Sequence, residues 1–336
     1  MSSTAQIVTK TEYEFGSRLT AEFPSQILMD ITETCNLACT HCPHPAFTKS
    51  KHYAGRHLNP ALNEKMIEEV CRYGGGRTQY IRYASNGEPL LHPNGYEMIQ
   101  AAVDHSGVFV TLTTNGKIMN EKRTQRLLES GVHLIDISID AFKAETYAKI
   151  RVKGNLDVTR ENVLRLIRWA RESKAKTKIV VSFIEQPENA SETLDFESYW
   201  KNQGADYVIL RRLHSCSGAI EELATQRRQS LHSLKRRPCL YPWERVVINA
   251  RGDLAFCPSD WVHGSFVADY HNTTIKAEWQ GEFYRRLREA HMSNNFSNHA
   301  FCGQCPDWSA TRWPHEGRSY ADMVEELTHQ ENFFDD

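Results

Sequence analysis

The sequence predicts an α/β fold: a parallel sheet of six strand–helix units, followed by a smaller C-terminal domain. Three observations carry this expectation. Apolar runs of strand length alternate with helical patterns through the first two thirds of the chain. Polar and glycine-containing segments fall directly after those runs, where a parallel barrel places its functional loops. The cysteines separate into an early group and a late group, as expected of a core with an accessory unit.

Strands are expected over residues 26–32, 79–84, 108–113, 134–139, 178–184 and 207–213. Asn59 and Pro60, a capping side chain and a first-turn proline, open a helix over 61–73. Further helices are expected over 95–104, 121–130, 158–173 and 192–203, with Gly131 and Gly204 ending the second and the last of these. Beyond the sixth strand, 244–249 and 254–257 flank Ala250-Arg251-Gly252-Asp253 and read as a hairpin.

At 336 residues the chain is long enough for a barrel and an accessory domain. Its net charge of −2, with only short basic runs such as Arg227-Arg228 and Lys235-Arg236-Arg237, argues against a nucleic-acid partner. No apolar stretch is long enough to span a membrane, and there is no secretory signal. The nine cysteines fit metal-binding spacings better than disulfides, which points to a reducing cytoplasm. The acidic end, Glu325-Glu326 through Asp335-Asp336, is expected to be peripheral.

Cys35, Cys39 and Cys42 form a C-x3-C-x2-C loop directly after the first apolar run. Three thiolates at this spacing suit a [4Fe–4S] cube whose remaining iron is open to a small molecule. A ferredoxin would bring a further cysteine, and a closed zinc site would need His41 or His44 as a fourth ligand. Four polar segments follow the strands. These are Asn86-Gly87-Glu88-Pro89, Thr113-Thr114-Asn115-Gly116, the alternating Asp136, Ser138 and Asp140, and Lys149-Ile150-Arg151. Glycine allows close backbone approach, and proline fixes a turn. Period two sends Asp136, Ser138 and Asp140 to one face, where burial is costly unless they meet a ligand or each other.

These motifs together resemble the radical S-adenosylmethionine (radical SAM) superfamily. The resemblance implies a partial TIM barrel, (β/α)6, whose Cys35/Cys39/Cys42 cluster binds SAM through its open iron. It also implies that Gly87, Glu88 and Pro89 meet the SAM amino group, with Thr114 and Asn115 at the next family position. Ser138 would meet the ribose, Asp140 would lie beside it, and Arg151 would pair with the SAM carboxylate. Arg151 as a solvated helix-end side chain is the plain alternative. His41 stands where relatives carry an aromatic residue near adenine; it can stack and also titrate. The glycine-rich adenine motif of many relatives is absent from Ser182–Pro187.

Cys239, Cys257, Cys302 and Cys305 form a second set, C-x12-G-x4-C followed by C-x2-C, with Gly252 in the first gap. Four thiolates suit a [4Fe–4S] cluster or structural zinc, and spacing does not separate the two. On a radical SAM core the pattern resembles the SPASM/twitch auxiliary domain. No cysteine follows Cys305, so one auxiliary cluster is expected. The expected divisions are an N-terminal extension over 1–24, a core over 25–225, the auxiliary domain over 226–318 and an acidic tail or helix over 319–336. Of the remaining cysteines, Cys71 reads as a small buried residue. Cys216, after the sixth strand, is a candidate hydrogen-atom donor.

The resemblance implies that an electron from a flavodoxin- or ferredoxin-type reductant drives SAM cleavage to a 5′-deoxyadenosyl radical, which abstracts hydrogen from the substrate. The first reading is an oxidoreductase that turns an alcohol of a sugar, aminocyclitol or nucleotide sugar into a ketone, the auxiliary cluster accepting the electron. Arg211 and Arg212 are the catalytic candidates beside His214, only one of them able to point inward, with Glu185 and Asp260 as other possible bases. The second reading is an epimerase of a sugar or peptide using Cys216. The third is a non-catalytic Fe–S or zinc-binding module. The short segment before the cluster loop favours a small substrate over a peptide.

Overall fold

The computed structural model describes residues 22–84, 86–311 and 319–331. Most of the expected N-terminal extension and the end of the acidic tail therefore lie outside the described residues. Six parallel strands appear in sequence order: β1 (Gln26–Met29), β2 (Tyr80–Tyr83), β3 (Phe109–Thr114), β4 (Leu134–Ser138), β5 (Lys178–Glu185) and β6 (Tyr207–Arg212). Helices cross between them: α1 (Pro60–Tyr73), α2 (Gly95–His105), α3 (Glu121–Glu129), α4 (Ala144–Ile150), α5 (Leu156–Glu172) and α6 (Thr193–Gln203). The result is the expected partial barrel.

Local chemistry sets the boundaries. Asn59, Asn120 and Asn155 each cap a helix by accepting from a first-turn amide. Gly204 ends α6 in the left-handed region, at φ +90°. Alternation along the strands then divides the sheet into two faces. Ile27, Met29, Ile81, Tyr83, Val110, Leu112, Ile135, Ile137, Val181 and Phe183 pack outward under the helices in the main core. Cys71 departs from expectation. It lies on the exposed side of α1 and donates to the His105 carbonyl.

The inner face changes character along the barrel axis. At its N-terminal end are Tyr80, Phe109, Leu134 and Val180, all buried. They are covered by Ala321, Met323, Val324 and Leu327 of a C-terminal helix, Tyr320–Glu331. Within the end expected to be peripheral, Leu327 is thus buried, and with the apolar positions just before it closes the bottom of the barrel, while Glu326 is exposed as expected. Above this floor comes a polar layer of Arg82, Thr113, Asp136, Ser182 and Arg211.

The expected hairpin is β7 (Arg245–Ile248) and β8 (Asp253–Ala255), extended by β9 (Phe266–Asp269). Its first strand pairs in parallel with β1, so one nine-stranded sheet runs from β6 to β9. No helix among the described residues is long and apolar enough to cross a membrane.

Candidate active site

The cysteine loop leaves the C-terminal end of β1 and is pinned on three sides. Glu33 accepts from the Ala54 and Arg56 amides and from the Arg56 guanidinium. The ring of buried His44 is bonded to the Glu33 carbonyl (2.8 Å), which gives it a structural role. Gly87 presses on the loop from β2. A side chain there would place its Cβ 2.1 Å from the Thr32 carbonyl oxygen, so only glycine fits. Asp30, which sequence reasoning passed over, receives the Asn86 amide, and burial raises its carboxyl to about 8.

Glu88 braces the neighbouring loop. Its carboxylate accepts from Thr114 Oγ1 (2.7 Å), the Asn115 amide (2.8 Å) and the Leu90 amide (3.3 Å). Asn115 in turn donates to Asn36 Oδ1 (2.7 Å) and reaches Cys35 Sγ at 4.0 Å. Arg151 is 6 % exposed, which excludes the solvated alternative. It forms an ion pair with Asp140 and donates from Nη1 to Cys39 Sγ (3.7 Å). Asp140 is fully buried just beyond β4 at φ +62°, and His41 Nε2 lies 3.4 Å from its carboxylate. Burial lowers the His41 ring to about 4 despite that neighbour. Ser138 is half-buried at the end of β4.

The donor set fits an iron–sulfur cluster. Burial pushes the Cys35 and Cys42 thiols up to about 11 and about 12, so loss of their protons calls for a bound cation. Arg151 Nε and Asn36 Nδ2 are buried beside the loop without hydrogen-bond partners among the described residues, two donors that suit an electron-rich group such as a cluster. Among the described residues, no three Cys, His, Asp or Glu converge as a single metal ion requires. A cubane's thiolates sit on separate irons, a wider arrangement.

The second set comes together from distant segments. Cys302 lies within electrostatic reach of Cys239, Cys257 and Cys305. Burial raises all four thiols. Arg236 reaches across to the Cys302 and Gly303 carbonyls. The profile of the radical SAM superfamily matches residues 29–196 of 336. The chain belongs to the radical SAM superfamily. An iron–sulfur cluster-binding SPASM domain matches residues 239–306, a span that contains all four cysteines of the second set.

Relatives of this radical SAM protein act on varied substrates. It is 31% identical over 180 residues to GTP 3′,8-cyclase of Lactiplantibacillus plantarum, covering 52% of this chain and 50% of that one. It is 33% identical over 128 residues to AdoMet-dependent heme synthase of Methanosarcina barkeri, covering 38% of this chain and 34% of that one. The chain therefore spans half or less of the length of these curated relatives. Among solved structures, BtrN in complex with AdoMet and 2-DOIA superposes with a TM-score of 0.56 at 16% identity, over 84% of this chain and 92% of that one. The corresponding values for AdoMet-bound anSMEcpe are 0.57, 14%, 92% and 96%. At these identities the likeness is one of fold.

Between the two cysteine sets lies the loop after β6. Cys216 and Ser217 have φ of +53° and +59°, and Gly218 follows at +100°. Two consecutive non-glycine residues in the left-handed region need strong outside restraint. Asp307 supplies it. Its carboxylate accepts from the Ser215 amide (3.2 Å), Ser215 Oγ (2.8 Å) and the Ser217 amide (2.8 Å), and pairs with Arg227 (2.8 Å). Ser217 Oγ lies 3.5 Å from Cys257 Sγ. Cys216 feels both Cys42 and Cys257, and burial holds its thiol protonated. Asp307 was missed because its partners lie some 90 positions away in sequence; its place directly after Cys305-Pro306 was the available signal.

The base candidates fare differently. Arg211 points inward, and Arg212 is exposed on the opposite face. Burial works against the Arg211 charge, but Asp136 more than offsets this and holds the guanidinium above its ordinary value. Arg211 is therefore a poor base, and Arg212 faces away from the barrel interior. Glu185 is exposed. Asp260 is buried, capping a turn through the amides of Val262, Gly264 and Ser265 and the Ser265 hydroxyl.

Proposed function

We propose that this radical SAM enzyme inverts a carbon centre of a small polar substrate, with Cys216 returning a hydrogen atom to the substrate radical. The position of Cys216 carries the reading. It is a protonated thiol on a restrained loop between Cys42 and Cys257. When bound, the cluster and SAM supply the radical that removes hydrogen from the substrate carbon. Cys35, Cys39 and Cys42 would hold that cluster, with Arg151 and Asn115 donating to its sulfurs. Gly87, Thr114, Ser138, Arg151 and His41 would form the SAM site around it. Glu88 and Asp140 would shape that site through the partners they already hold.

In the second half-reaction the Cys216 S–H bond breaks and a C–H bond forms on the opposite face of the carbon. This leaves a sulfur radical. One electron from the flavodoxin- or ferredoxin-type reductant and one proton from solvent restore the thiol. The substrate is neither oxidised nor reduced overall.

Oxidation of an alcohol to a ketone is the second reading, favoured by the four-cysteine set Cys239, Cys257, Cys302 and Cys305 as a place for an electron acceptor. It requires a base for the hydroxyl proton. Arg211, Arg212, Glu185 and Asp260 are each engaged or turned away. This ranks it below inversion.

Turnover in deuterated water, with sugar phosphates, nucleotide sugars and peptides as candidate substrates, separates the two. Inversion predicts one solvent deuterium at the inverted carbon. It also predicts that Cys216→Ala loses product by about a hundredfold or more while 5′-deoxyadenosine still forms. A ketone product, or undiminished inversion in the Cys216→Ala variant, would sink the donor role.

A further inference from the structure

The polar layer of the barrel contains a charge that its own neighbours do not balance. Asp136 is completely buried, and one of its oxygens, Oδ2, receives both Arg211 Nη2 (2.5 Å) and Arg82 Nη2 (3.1 Å). Ser182 Oγ donates to the other oxygen (2.6 Å). Two guanidinium groups thus share one carboxylate, leaving one positive charge over. Arg82 spends Nε and Nη2 on Thr113 Oγ1 and stacks over the Tyr320 ring at 4.1 Å. Arg82 Nη1 and Arg211 Nε and Nη1 make no hydrogen bond to the described residues.

These side chains are 15% and 30% exposed, and both line a cavity of about 910 Å³ between β6 and the second cysteine set. Of the other arginines lining that cavity, Arg212 is exposed on the other face of β6 and Arg237 donates to the Ser309 and Thr311 carbonyls, while three have counterparts of their own. Arg245 pairs with Glu244, Arg227 pairs with Asp307, and Arg236 faces the cysteines Cys239, Cys302 and Cys305. A guanidinium held largely out of water without a matching anion is costly. Spare donors at the same point are what an oxyanion needs, because a guanidinium can grip two oxygens at once.

We infer that Arg211 and Arg82 hold an oxyanion group of the substrate, a phosphate or a carboxylate, inside the barrel. The inference rests on the reading above that a small polar substrate meets Cys216, and it narrows that substrate to an anionic one. A polycationic aminocyclitol is disfavoured, while a sugar phosphate, a nucleotide sugar or an acidic sugar fits. Asp136 then acts as a positioning residue: it aligns both guanidinium groups and takes up one of their two charges.

Isothermal titration into anaerobically reconstituted holoenzyme at low salt tests this, with inorganic phosphate in one arm and acetate in the other. Saturable binding of either probe is expected, and the tighter arm distinguishes phosphate from carboxylate. Arg211→Met should weaken binding about tenfold or more. Asp136→Asn removes the competing carboxylate and should tighten binding about tenfold, an effect of opposite sign to simple structural damage. It also keeps the test open if Arg211→Met does not fold. Absence of saturable binding in both arms, or binding indifferent to both Arg211→Met and Asp136→Asn, overturns the inference. Oxyanion binding that persists in Cys216→Ala while inversion is also undiminished would remove the donor role and leave the oxyanion site standing.

Discussion

Eight consecutive residues, Cys35 to Cys42, hold the first set of thiols, whereas the second is drawn from Cys239, Cys257, Cys302 and Cys305 across 67 positions. The first set has three cysteines, and around it stand donors with capacity to spare, Arg151 Nε and Asn36 Nδ2. The second has four cysteines and a turn of chain, Arg236 against Cys302 and Gly303, that closes over it. A local loop with an incomplete ligand set suits an exchangeable small molecule. A complete set gathered from distant segments suits a permanent fastening. The difference teaches that the same element can serve chemistry at one site and architecture at the other.

The largest effect expected from this contrast is on SAM cleavage. Replacing Cys35, Cys39 and Cys42 with alanine should lower iron from about eight to about four per chain and abolish 5′-deoxyadenosine. Replacing Cys239, Cys257, Cys302 and Cys305 should also remove about four irons but leave some SAM cleavage. Its main cost should be stability, a melting temperature lower by about 5 °C or more, because the lost cluster closes long loops. Equal melting temperatures for the two variants would erase the distinction.

A smaller effect probes the join between the sites. Asp307→Asn puts an amide group against the Ser215 and Ser217 donors and weakens the pair with Arg227. Stability should fall by about 2–3 kcal/mol. Product formation should fall about tenfold or more, with iron content and 5′-deoxyadenosine retained, since the change reaches Cys216 without touching a ligand. Parallel loss of product and 5′-deoxyadenosine would place Asp307 in the first site instead.

The smallest site-specific effect is expected at the barrel floor, away from both sets. Leu327 is buried among the barrel's inner residues. Leu327→Ala should therefore cost about 2–4 kcal/mol in denaturant unfolding while leaving both iron populations intact. A change below about 0.5 kcal/mol would restore the peripheral tail.

What could be read from sequence follows the same division. The cysteine loop, the strand–helix alternation and the hairpin are local patterns, and a short window contains everything needed to recognise them. The in-or-out choice between Arg211 and Arg212 was not, because alternation fixes only that they differ; the pairing of β6 with β5 decides which one faces Asp136. The burial of Leu327 was missed because the acidic residues around it set the reading, although Ala321, Met323, Val324 and Leu327 already marked an apolar stripe. The Asp307 clamp and the shared Asp136 carboxylate depend on partners dozens of positions distant. Only the fold brings them together.

The parallel pairing of β7 with β1 has a mechanical consequence. The strand that launches the cysteine loop is hydrogen-bonded along Gln26–Met29 to the strand that leads toward Cys257. No hinge separates the two sites on that side, so their spacing is as stiff as a sheet. At the other end of the sheet, β6 has β5 as its one strand neighbour among the described residues. Along this margin the loop carrying Cys216 is tied to the second cysteine segment through the Asp307 carboxylate instead of through a strand ladder.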